Sequence, residues 1–174
     1  MFPIPRHLKK ILKPVGNDNM EAFVTGEIVC DCGSNSFKIK LVGDTSFYEK
    51  KRVIKLIEID GHYFLIVQVQ CNKCEKEHLI FDKDLHGWNG FVCGHEEEVP
   101  PRPASKDWHC NKCDKTDHSM KVRIQSKGQD DFIEEGGDEF DKNDWVEAFS
   151  WITVMVECNS CKASNKEWIS YETM

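Results

Sequence analysis

A chain of 174 residues with 40% hydrophobic and 30% charged side chains and a formal net charge of -7 has the composition of a folded acidic protein, without general attraction for phosphate backbones. No stretch approaches the roughly 20 apolar residues that span a bilayer, and the opening Met1-Phe2-Pro3-Ile4-Pro5-Arg6-His7 lacks the continuous apolar run of a secretory leader. The expectation is a soluble cytoplasmic protein whose nine cysteines stay reduced.

Taken in order, Arg6 to Lys13 carries Leu8, Ile11 and Leu12 at helical spacing between Pro5 and Pro14, which predicts a short N-terminal helix or an ordered arm packed against the first half of the chain. Val24 to Val29 reads as a strand leading into Cys30-Asp31-Cys32. Phe37, Ile39 and Leu41 alternate with Lys38 and Lys40, so those three should face a core. Residues 44–51 read as a loop. Val53 to Ile59 and His62 to Gln70 flank Asp60-Gly61, a strong hairpin signal, and the second of these strands delivers Cys71-Asn72-Lys73-Cys74. His78 to Phe81 reads as a further strand.

Residues 82–107 differ in texture. His86-Gly87-Trp88-Asn89-Gly90-Phe91 opens a loop rich in aromatics and glycine that runs on to Cys93 and His95. Pro100-Pro101-Arg102-Pro103 then predicts an extended, semi-rigid linker over 100–107, between a first unit at 1–99 and a second at 108–174.

The second half repeats the first. Cys110-Asn111-Lys112-Cys113 lies 80 positions after the first pair, and Cys158-Asn159-Ser160-Cys161 lies 87 positions after Cys71. Met120, Val122 and Ile124 copy the alternation of Phe37, Ile39 and Leu41, and Lys166 to Tyr171 matches Glu77 to Asp82. Between the second half's two pairs, Gly128 to Asp144 is dense in Asp and Glu without calcium-loop spacing and reads as a mobile, solvated loop.

Two thiolates separated by two residues on a tight turn can reach one metal ion, and two such turns supply a closed tetrahedral set. The near-constant period pairs first with second and third with fourth, which makes Cys30, Cys32, Cys71 and Cys74 one ligand set and Cys110, Cys113, Cys158 and Cys161 the other. Two structural zinc ions are expected, though iron accepts the same four thiolates. Asparagine after the first cysteine in three pairs, and Gly33 after Cys32, suit turns that need left-handed backbone. Loaded with two dications on eight thiolates, the chain would carry about -11.

At these pairs the chain resembles the zinc ribbons, small antiparallel sheets with two cysteine knuckles found in transcription factors, RNA polymerase subunits and ribosomal proteins. The resemblance covers residues 24–82 and 108–172 and carries over the same eight cysteines. It departs at Cys30 and Cys32, which are separated by only one residue, and in the 38 and 44 residues between knuckles, where ribbons have about 15–20. The longer inserts imply an enlarged sheet. The expected fold is therefore mainly β, two duplicated antiparallel zinc-ribbon-like modules, each stapled by a four-cysteine zinc site.

Closed four-thiolate sites leave no position for water, so they stabilise without catalysing, and an enzyme would need His86, Cys93 and His95 as an open site or a nucleophile pair. No catalytic activity is expected. The anticipated role is a zinc-stabilised protein-interaction module of inhibitor, immunity or adaptor type, with His86, Trp88, Asn89 and Phe91 as the candidate partner-binding loop. There Trp88 either anchors a partner or plugs the groove between two sheets. The alternative is a nucleic-acid or transcription-machinery binder using Lys38, Lys40, Lys121 and Arg123 on outer strand faces.

Overall fold

The computed structural model describes residues 4–16, 23–48 and 51–174. The first half contributes β1 (Leu12–Pro14), β2 (Phe23–Ile28), β3 (Phe37–Val42), the hairpin strands β4 (Asp44–Tyr48) and β5 (Lys51–Lys55), the pair β6 (Ile57–Ile59) and β7 (His62–Phe64), then β8 (Ile66–Cys71) and β9 (Glu77–Asp82). After a π-helical turn at Trp88–Cys93 come β10 (Lys106–Asp107), β11 (Asp117–Gln125), helix α1 (Gln129–Gly136), two short 3-10 turns, β12 (Trp151–Cys158) and β13 (Ser164–Glu172).

Nine of these strands form one curled antiparallel sheet in the order β1-β2-β11-β3-β8-β9, with β12 beside β11, β13 beside β12 and β10 beside β3. One edge of β11 pairs β12 from His118–Cys158 to Gln125–Trp151, and its other edge pairs β2 along residues 121–125 and β3 at Asp117–Lys38 and His118–Phe37. Strands from both sides of the expected linker thus share a sheet. The 100–107 segment is itself fastened to the first half: Lys106 and Asp107 pair Leu41 and Lys40, and the Arg102 guanidinium meets Asp82 and Asp84, each at 2.7 Å.

The alternation read from the sequence sets the core. Phe37 and Ile39 are fully buried and Leu41 nearly so, and Met120, Val122 and Ile124 are buried beside them. One hydrophobic cluster runs from Leu8 through both halves to Ile169, with Trp108 and Trp168 edge to face at 5.3 Å within it. Phe37 stands opposite Cys71 in β8, while His118 stands opposite Cys158 in β12, so the counterpart of Phe37 is His118, not Met120. The offset of two residues leaves every side chain on its expected face.

Three local expectations are corrected. Arg6 to Lys13 is not a helix: the Leu8, Ile11 and Leu12 amides close successive turns, and the chain enters β1 at Leu12. One helical turn cannot outweigh strand pairing here. β1 lies so close to β2 that a Cβ on Gly26 would meet the Lys13 carbonyl oxygen and the Leu12 side chain at 2.8 Å. Residues 44–51, read as a loop, contain most of the hairpin β4–β5, with Asp44 opposite Lys55. The acidic stretch 128–144 is not an open loop. Its Phe132 is buried under α1 against Trp88 and Phe140, the Asp141 carboxyl accepts from the Asn143 amide at 2.8 Å, and Asp144 and Glu147 pair with Arg6. The Asp60-Gly61 turn is present, with φ of 52° and 81°, but it joins only β6 to β7: Val53 to Lys55 pair with β4 instead, and β8, which delivers Cys71, pairs with β3 and β9 in the main sheet.

Since the two halves share sheet and core, Ile39→Asp should abolish folding of both together, because it places a charge where a fully buried side chain stood. Near-ultraviolet circular dichroism and Trp108/Trp168 fluorescence should then be lost together. A variant keeping a folded second half would contradict the shared core.

Candidate metal centres

Each cysteine pair sits on a tight turn closed by the same main-chain pattern. The amide of Cys71 donates to Lys76, that of Cys110 to Lys115 and that of Cys158 to Ala163, each at 2.9 Å. Inside each turn the amides of Glu75, Asp114 and Lys162 return to the carbonyl of the first cysteine, also at 2.9 Å. In the shorter pair, Cys30 donates to Ser34 and Gly33 to Cys30, both at 2.8 Å. These bonds need the chain to reverse directly after the second cysteine, and there φ is positive: 83° at Gly33, 62° at Glu75, 59° at Asp114 and 62° at Lys162. The left-handed position is thus the residue after each pair, not the asparagine within it.

The turns bring the thiols together as the period required. All four Sγ atoms of Cys30, Cys32, Cys71 and Cys74 lie within 4.8 Å of one another, as do those of Cys110, Cys113, Cys158 and Cys161. Cys30–Cys74 and Cys32–Cys71 are 3.5 and 3.6 Å apart, and Cys110–Cys161 and Cys113–Cys158 are both 3.5 Å apart. A tetrahedron of sulfur around an ion at about 2.3 Å has edges of about 3.8 Å, whereas a disulfide is about 2.05 Å. The donor sets fit one metal ion each.

Burial opposes ionisation of Cys71, but the amides of Cys74 and Lys73 and the neighbouring thiols of Cys32 and Cys74 outweigh it and hold Cys71 at about 6. Cys158 is held at about 7 against burial by the amides of Cys161 and Ser160 and by Cys113 and Cys110. In each quartet the first ionisation thus falls on the cysteine that ends β8 or β12, while Cys30 and Cys113 are pushed up to about 12. Around the first quartet lie groups that the sequence reading missed: His78 Nε2 is 3.2 Å from Cys30 Sγ, and Lys76 pairs with Asp31. Register places Asn165 where His78 stands, and its amide instead donates to the Arg52 carbonyl at 2.6 Å.

His86, Cys93 and His95 are not gathered. Among the described residues the two cysteine quartets are the only such metal-holding groups. His86 stacks on His7 with ring centroids 3.7 Å apart, its Nδ1 accepting from the Asp82 amide, while His95 lies near the Val92 carbonyl and Cys93 is exposed. Trp88 and Phe91, both partly buried, lie against Phe132 and Phe140 of the second half's insert. The backbone amide of Trp88 donates to Phe149 and Thr173, and a Cβ on Gly87, at φ 73°, would strike Thr173 at 2.5 Å. Asn89 is exposed and, with His62, Asp84, Cys93 and Tyr171, lines a cavity of about 260 Å³. Burial raises Asp84, but hydrogen bonds from Lys83, His62 and Arg102 outweigh it and leave its carboxyl below the ordinary range.

Comparison with protein-family models, with curated proteins and with solved structures finds no match to this chain. No helix among the described residues is long and apolar enough to cross a membrane.

Glu75 is exposed and holds a left-handed φ, so Glu75→Gly should stabilise the folded protein by roughly 0.5–1 kcal/mol, read as a shift in denaturant midpoint. The stacked histidines make stability depend on pH. Burial lowers His7 to about 4 and His86 to about 2, so between those values and about 6.5 the unfolded chain binds the protons and the folded chain does not. The stability from keeping both rings neutral is complete above about pH 6.5 and is lost as pH falls below it. His7→Phe should reduce the slope of stability between pH 6 and 4.5 by up to about 1.4 kcal/mol per pH unit. An unchanged slope would contradict the buried neutral pair.

Proposed function

We propose that the chain is a protein-interaction module without catalytic activity, stapled by two structural zinc ions, and that it serves as an inhibitor, immunity or adaptor factor in the cytoplasm. Four thiolates are a set that zinc fills completely, leaving no position for water or substrate. The kinship of the halves is part of this reading. Both show the same knuckle hydrogen bonds, both place the strand-ending cysteine opposite the strand that follows the first knuckle, and both carry a register irregularity about four residues before that cysteine. This supports duplication of one zinc-ribbon-like unit with enlarged inserts.

The observation that carries the interaction role is the β4–β5 arm. It stands outside the main sheet and holds Phe47 at 74% and Tyr48 at 63% exposure, with Tyr63 of the neighbouring hairpin at 50%. Its root is fixed. Ile54 is buried in the core, and the Arg52 guanidinium lies 4.8 Å from the Trp108 ring and donates to Asn111 at 2.8 Å. Exposed aromatics on a fixed root are what a protein partner buries at the centre of an interface. The cations named for nucleic acid are largely engaged: Lys40 with Glu77 at 2.5 Å, Lys121 with Glu27 at 3.2 Å, and Arg123 over the Phe23 ring at 4.2 Å. With the acidic net charge, this favours a protein partner.

The test is affinity capture with the wild type and with Phe47→Ser/Tyr48→Ser, which should keep both metal ions and the melting temperature. One stoichiometric polypeptide held by the wild type and released at least tenfold faster by the variant is the expected result. Salt-dependent retention on random-sequence DNA, with no polypeptide captured, would overturn the reading in favour of nucleic acid.

A further inference from the structure

We infer that the two quartets load metal cooperatively, as one unit, and that the carboxyl group of Asp117 couples them; this rests on the reading that each quartet holds zinc. Asp117 opens β11 at the point where it pairs with β3, between the knuckles. One of its oxygens, Oδ1, accepts from three donors: Ser36 Oγ at 2.7 Å, Asn159 Nδ2 at 2.7 Å and Asn72 Nδ2 at 3.2 Å. Asn72 also donates to Ser36 Oγ at 2.9 Å. These asparagines directly follow Cys71 and Cys158, one ligand of each quartet. Their backbone amides donate to the carbonyls of Ser36 and Asp117, both at 3.0 Å.

Each strand-ending knuckle is therefore held twice, by main chain and by side chain, to residues 36 and 117, and one carboxyl oxygen belongs to both attachments. When a quartet is empty its knuckle loses the constraint that fixes four sulfurs, and its asparagine no longer has a fixed position from which to donate. Asp117 then loses a donor, and the opposite asparagine loses a rigid acceptor. Loading one quartet orders the network that the other quartet needs, which is coupling through shared ordering and must be reciprocal. Asparagine recurs after the first cysteine for this reason at two knuckles, while Asn111 serves Arg52 instead.

Competition with a chromophoric zinc chelator tests this on the full chain. Cys161→Ser, which disables the second quartet, should weaken zinc binding at the first about tenfold, and Cys74→Ser should weaken the second by the same factor. In an Asp117→Ala background both effects should shrink to less than twofold. Asp117→Asn, which keeps an oxygen acceptor, should retain most of the coupling. If Asp117→Ala fails to fold, Asn159→Ala removes a single donor, and amide exchange at Asn72 to Glu75 in the zinc-loaded variant should be faster than in the wild type. Two ions bound independently, with Cys161→Ser leaving the first affinity unchanged, would overturn the coupling alone. So would a tenfold effect that persists in Asp117→Ala. A chain that takes up no zinc would overturn both the coupling and the reading beneath it.

Discussion

Four sulfurs can meet at one point only if each of the turns that carry them is held from outside, because clustered thiols have little attraction for one another without an ion. In this protein that restraint is the backbone reversal after every pair, with Gly33, Glu75, Asp114 and Lys162 at positive φ and the strand-ending cysteines Cys71 and Cys158 locked opposite Phe37 and His118. Three of the four reversals use residues that carry a conformational penalty there. An ion held at each quartet would compensate that penalty, since metal binding at such a site is folding free energy.

The second organising feature is β11. By pairing β12 on one edge and β2 and β3 on the other, it makes the sheet continuous across the halves, so the quartets share a core and a hydrogen-bond network. The expected linker obeys the same logic. Arg102 is drawn to Asp82, whose buried carboxyl needs a cation beside it, and β10 then continues along β3. Acidic residues of the insert play a similar part at the other end, where Asp144 and Glu147 hold Arg6 and bring the N-terminal turns onto the core.

How much of this the sequence disclosed depends on whether a feature is local. Phe37, Ile39 and Leu41 were legible because alternation of period two fixes a face whatever the neighbours, and Asp60-Gly61 because both residues tolerate the turn they form. The two quartets were legible from spacing and period. α1 was not, because its single deeply buried side chain, Phe132, acquires meaning only when Trp88 and Phe140 lie against it. The β4–β5 arm was missed because its aromatics face outward and leave no apolar alternation. Arg6 to Lys13 misled because Leu8, Ile11 and Leu12 are buried, as helical spacing suggests, yet β2 offers an open edge at Gly26. The network of Ser36, Asn72, Asp117 and Asn159 was invisible because it forms only when Ser36 and Asp117, 81 residues apart in sequence, are brought side by side.

The central claim is that two closed four-sulfur metal centres hold this fold together. X-ray absorption at the zinc edge on protein purified without chelator tests it most directly. The account predicts zinc at two ions per chain in a shell of four sulfurs at about 2.3 Å, with no nitrogen or oxygen ligand. Nitrogen or oxygen in that shell, or native protein that holds no metal, would contradict it.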